Sequence, residues 1–109
     1  MSSLFADIVL EQLGGRQTLD TMLGIKSLGV LESTKTLTIK FKAKGREGIN
    51  TIVIRLDPSD TYTLQFWKCR GLQTKLIEVH SDIYADRLVS TCEEVTGLDF
   101  RTPKVVFPR

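Results

Sequence analysis

The chain has one histidine, two cysteines and three prolines in 109 residues, and each scarcity removes a class of protein. One imidazole and two separated thiols supply neither the ligand number nor the paired spacing of a zinc site. Cys69 and Cys92 fall in segments that read as an exposed strand edge and a helix interior, so no disulfide is expected. No apolar run reaches the roughly 18 residues of a membrane helix, and neither a signal peptide nor a basic amphipathic anchor is visible. The expectation is a protein of a reducing cytoplasm, with no metal, no cofactor and no membrane partner. Charge of one sign is scarce too: 15 Lys and Arg against 13 Asp and Glu leave a net +2. Any electrostatic preference must therefore come from clustering, and an acidic mimic of DNA is excluded.

What the chain does have is alternation. Leu37, Ile39 and Phe41 fall on one side of an extended segment, with Thr38, Lys40, Lys42 and Lys44 on the other, the pattern of a half-buried antiparallel strand with a basic outer face. Ile52, Ile54 and Leu56 oppose Thr51, Val53 and Arg55 in the same way, and Tyr62, Leu64 and Phe66 oppose Thr63, Gln65 and Trp67. Strands are predicted over about 25–32, 35–43, 49–57, 61–69 and 73–79. Ser33-Thr34 turns the chain, Ala43–Gly48 is a long polar hairpin loop, and Asp57-Pro58-Ser59-Asp60 has the chemistry of a type I turn. Short connections imply an antiparallel meander.

Helices flank this sheet. Ser3 is a candidate cap for a helix carrying Phe5, Ile8, Val9 and Leu13 and ended by Gly14-Gly15; a second runs from Arg16 to Leu23 and stops at Gly24. Ser81 is the predicted cap of a third helix over about 82–96, with Ala85, Leu88, Cys92 and Val95 inward and Gly97 as its end. The expected fold is one α+β domain: an N-terminal helical hairpin, a four- to five-stranded antiparallel sheet meander, and a C-terminal helix packed on one face. Residues 98–109 read as an extended tail, where Val105-Val106-Phe107 between prolines could add an edge strand or reach a second subunit, making a homodimer.

No residue set reaches a catalytic signature. His80 stands beside Ser81 and Asp82, but neighbours on an extended chain point apart and cannot form a nucleophile–base pair. Glu93-Glu94 reads as a solvated helix face and Asp57 with Asp60 as turn chemistry rather than an acid–base couple. Gly45 and Gly48 lack the spacing of a phosphate loop. The chain is not expected to be an enzyme. The basic face is the stronger candidate: Lys40, Lys42, Arg55, Gln65 and Trp67 share one side of neighbouring strands, with Lys44 and Arg46 extending the charge into the loop. Cations that neutralise phosphates beside an aromatic that stacks a base are the equipment of single-stranded nucleic-acid binders. The competing reading makes the lysines ordinary solvent-facing strand residues and tucks Trp67 beneath the N-terminal helices.

Leu13-Gly14-Gly15, Met22-Leu23-Gly24, Asp57-Pro58-Ser59-Asp60-Thr61-Tyr62 with Phe66, Arg70-Gly71, Tyr84-Ala85-Asp86-Arg87-Leu88 and Thr96-Gly97-Leu98 resemble a family of small uncharacterised proteins encoded by bacteriophages and other bacterial mobile elements. The likeness spans most of residues 10–98 and departs from that family at Arg16–Thr21, where its members tend to carry an aromatic residue and one position fewer. These motifs are structural punctuation, and they bring no catalytic residues with them. The resemblance implies context: a small accessory protein that binds nucleic acid or blocks a host protein. The leading expectation is nucleic-acid binding through the basic sheet face, and the alternative is a protein-binding inhibitor of a bacterial defence system, similar in role to an anti-CRISPR protein.

Overall fold

In the computed structural model, which describes residues 4–100, the alternating segments form one five-stranded antiparallel sheet in the order β1-β2-β3-β4-β5. The strands are β1 (Ile25–Leu31), β2 (Thr36–Phe41), β3 (Thr51–Leu56), β4 (Tyr62–Arg70) and β5 (Gln73–Ile83). Helices α1 (Leu4–Gln12) and α2 (Arg16–Leu23) precede the sheet and α3 (Leu88–Thr96) follows it. The fold class is the expected α+β meander. Ser3 and the Val105-Val106-Phe107 tail lie outside the described residues.

Side-chain period fixes which face is sealed. Leu37, Ile39, Phe41, Ile52, Ile54, Tyr62, Leu64 and Phe66 all point to one side and are buried there with Phe5, Val9, Leu13, Leu19 and Leu23 of the helical hairpin and Leu88, Cys92 and Val95 of α3. Phe100, just past α3, is also fully buried, and its backbone N–H donates to Glu93 Oε2 at 3.0 Å. The inward stripe of α1 is Phe5, Ala6, Val9 and Leu10, continued by Leu13 just past its end, whereas Ile8, expected inward, is 45% exposed. Backbone bonds from Lys42 N to Gly24 O and from Ala43 N to Leu23 O tie the end of α2 to the end of β2. Asp20 Oδ1 accepts from the N–H of Ile25 at 2.9 Å, holding the corner where helix becomes strand. The Asp57–Asp60 turn is closed by Asp60 N donating to Asp57 O.

The third helix is shorter than predicted. Residues 80–83 continue β5, a 3₁₀ turn covers Ala85–Arg87, and α3 begins at Leu88 without a side-chain cap. Ser81 is therefore a strand residue rather than a helix cap, and Ala85 is exposed rather than inward. The cause is an irregular ladder. Leu64 pairs with His80 and Tyr62 with Ile83, so β5 carries an extra residue at Ser81–Asp82, where Asp82 adopts φ 57°. A second extra residue, Ile77, separates the Phe66–Glu78 and Trp67–Leu76 pairs.

Candidate nucleic-acid interface

The side of the sheet away from the helices is organised in rows set by the ladder. One row crosses all five strands as Ser27, Lys40, Thr51, Trp67 and Leu76. The next is Gly29, Thr38, Val53, Gln65 and Val79, and a third is Leu31, Thr36, Arg55 and Thr63. No carboxylate stands in any of these rows. Hydroxyls, β-branched side chains and two cations line the face, and a shallow depression of about 170 Å³ opens between Thr36, Val53, Arg55, Thr63 and Gln65.

Trp67 is half-buried on this outer face and does not lie beneath the N-terminal helices. Its indole N–H donates to Gln65 Oε1 at 3.1 Å, so the adjacent row orients the ring. Lys40 is exposed and makes no ion pair among the described residues. Arg55 shares the face, but its Nε donates to Asp57 Oδ1 at 2.8 Å while Thr63 Oγ donates to Asp57 Oδ2 at 2.6 Å. The Thr63 hydroxyl first, and then the Arg55 guanidinium, hold the Asp57 carboxyl below its ordinary range. Much of the charge of Arg55 is thus answered within the chain.

The remaining candidates sit elsewhere. Lys42 is exposed at the corner beside Gly24, past the paired part of β2. Arg46 is a correction to the expected extension of the basic face: its Nε donates to Val95 O at 3.0 Å, and its guanidinium pairs with Glu78, a residue on the helix side of β5. Arg46 ties the loop to the last turn of α3. Gly45 allows this, because a Cβ there would come within 2.8 Å of Thr96 O. Lys44 lines a separate cleft with Gly48, Asn50, Lys68, Cys69 and Arg70. The structure therefore brings Lys40, Arg55, Gln65 and Trp67 together and separates Lys44 and Arg46 from them. Lys68, Arg70 and Lys75 were not anticipated as site residues; alternation assigns Lys68 and Arg70 to the side of Phe66, but β4 runs on past the buried core.

His80 is packed on the helix side with its ring edge-on to Phe66, its Nε2 buried and 3.9 Å from Glu78 Oε1. Among the described residues no group of three His, Cys, Asp or Glu is placed to hold a metal, and no helix is long and apolar enough to cross a membrane. Comparison of the chain with family models, with curated proteins and with solved structures found no match.

Proposed function

We propose that the protein is a non-enzymatic accessory protein of a phage or mobile element that acts in the bacterial cytoplasm and lays a single-stranded nucleic acid over the outer face of its sheet. The observation that carries this reading is a five-stranded face that, among the described residues, has no cover and no carboxylate in its rows, with a half-buried tryptophan in the same row as a lysine that makes no ion pair there. Lys40, with Lys42 at the corner, would neutralise phosphates; Trp67 would stack a base; and the threonine hydroxyls and Gln65 would bond base edges or sugars without strong sequence preference.

Because Trp67 is the only tryptophan, intrinsic fluorescence reports on the proposed stacking directly. Titration with oligo-dT at low salt should quench it. Trp67→Ala should weaken binding, read by anisotropy of a labelled strand, by about 1–3 kcal/mol. Reversing Lys40 and Lys42 to Glu should weaken binding further and flatten its salt dependence, since each lost contact removes a slope of about 0.7 for single strands. Absence of retention on single-stranded DNA and RNA at low salt would sink the reading.

A second reading, an inhibitor that docks a host protein, is favoured by the apolar Leu31, Leu76 and Val79 on the same face, 57%, 41% and 47% exposed. It predicts binding that survives moderate salt and is lost on Leu76→Ala with Val79→Ala rather than on reversal of the lysines.

A further inference from the structure

We propose that the cleft where the β2–β3 loop meets the projecting end of the β4–β5 hairpin is a phosphate-binding site, distinct from the outer sheet face and independent of the function proposed for it. The last pair of β3 on β4 is Thr51 with Trp67, whereas β4 and β5 continue together as Lys68–Lys75, Cys69–Thr74 and Arg70–Gln73. The hairpin end thus outruns the sheet. Lys68 and Arg70 line, with Lys44 and Gly48 of the loop, a half-open cleft of about 160 Å³. An adjoining open groove adds Lys75.

Three features distinguish this place from scattered surface lysines. First, Lys68 and Lys75 oppose each other across the ladder; such like-charge pairs destabilise a sheet, and a bound anion removes the penalty. Second, the arm of Lys68 is seated. Gly48 adopts φ 84°, and a Cβ on it would come within 3.1 Å of Lys68 Cδ and Cε, so the glycine leaves the channel in which that side chain lies. Third, Asn50 fixes the wall: its backbone N–H donates to Trp67 O at 3.1 Å, its Nδ2 donates to Cys69 O at 2.8 Å and its Oδ1 accepts from Cys69 N at 2.9 Å, so a side chain extends the ladder beyond the last paired residue of β3.

No carboxylate lines either the cleft or the groove, and none of Lys44, Lys68, Arg70 or Lys75 makes an ion pair among the described residues. Several uncompensated cations, one of them a planar guanidinium fork, match the several oxygens and the multiple charge of a phosphate better than a single carboxylate. The phosphate could be free, carried by a nucleotide, or part of a nucleic-acid backbone; the recognising chemistry is the same.

The test is a titration of the full chain, followed by amide nitrogen–proton NMR, with inorganic phosphate, pyrophosphate, a mononucleotide and oligo-dT, each against sodium chloride at matched ionic strength. Expected are saturable shifts at Gly48, Cys69 and Arg70 and at the Asn50 side-chain amide. Lys68→Gln with Arg70→Gln, which keeps both stems, should weaken that response at least tenfold and leave the spectrum otherwise folded. The phosphate arms distinguish the source: saturation by phosphate or a nucleotide assigns a small ligand, saturation by oligo-dT alone a backbone phosphate, and either supports the site. Shifts no larger than those of chloride in every arm, or shifts the double variant leaves unchanged, would overturn it. Trp67→Ala should not alter the cleft response to inorganic phosphate, pyrophosphate or the mononucleotide, so failure here and failure of the sheet-face reading are separable.

Discussion

On the helix side of the sheet, one row reads Val30, Leu37, Ile54, Leu64 and His80; one pleat away, on the other side, the neighbouring row reads Gly29, Thr38, Val53, Gln65 and Val79. Leu37, Ile54 and Leu64 have no accessible surface, while Val79 is 47% exposed. The same ladder holds both rows in place, yet the first makes the core and the second is left without a cover among the described residues. Thr51 and Thr63 are buried even on the open side, screened by their larger cross-strand neighbours, so that face is tightly made as well as accessible. If the outer face is the binding surface proposed above, stability and recognition fall on opposite surfaces of one sheet, and substitutions should separate them.

The largest contrast is expected in thiol chemistry. Cys92 is fully buried in α3, and burial, with a smaller push from Glu93, raises its thiol to about 12; at pH 8 only about one molecule in ten thousand would carry the thiolate. Cys69 is half-buried at the projecting end of β4. A disulfide reagent should label one thiol in the native protein and two in urea. Rapid labelling of both without denaturant would show that α3 does not seal the inner face.

Packing should give the next effect. Leu64→Ala should cost about 2–5 kcal/mol in urea unfolding, whereas Val79→Ala should stay within about 0.5 kcal/mol. Similar costs at the two positions would mean that something covers the outer face.

The inner face was legible from sequence because β2, β3 and β4 keep strict alternation, and Leu37, Ile39, Phe41, Ile52, Ile54, Leu64, Phe66, Leu88 and Val95 are all buried as the pattern requires. The far half of β5 was not legible. Two extra residues, Ile77 and one at Ser81–Asp82, shift the phase of its alternation, and Ser81-Asp82 then imitates a helix start. Arg46 was misplaced for a different reason: the path of its loop depends on Gly45 meeting Thr96, a contact between residues distant in sequence. Lys68 opposite Lys75 becomes visible only when the Gly71-Leu72 turn sets the hairpin register.

Arg46 offers a sharper version of the comparison, since it is a cation that belongs to the packed side. Its side chain is half exposed, so Arg46→Ala should cost only about 0.5–1.5 kcal/mol by releasing Val95 O and Glu78. Nucleic-acid retention at low salt should remain, in contrast to the Lys40 and Lys42 reversal. Equal loss of retention in both variants would return Arg46 to the binding surface.

The smallest effect belongs to Asp57, which anchors Arg55 and Thr63 at the edge of the open face. Its folded-state carboxyl lies below the ordinary value of 3.8, so its contribution is fully present above the ordinary carboxylate range and is lost as pH falls through the folded value. Asp57→Asn preserves a side chain suited to the first position of the turn and to a bond with Thr63, while removing the charge that holds Arg55. Because the pair is surface-exposed, the variant should be less stable than the parent by at most about 1 kcal/mol at pH 7. The gap should close as the pH is lowered toward 2, where the parent's own carboxyl is protonated. Urea unfolding of both proteins across that range checks the sign: a gap that is constant with pH would assign the cost to turn geometry, and no gap at pH 7 would leave the guanidinium of Arg55 free to serve a phosphate on the open face.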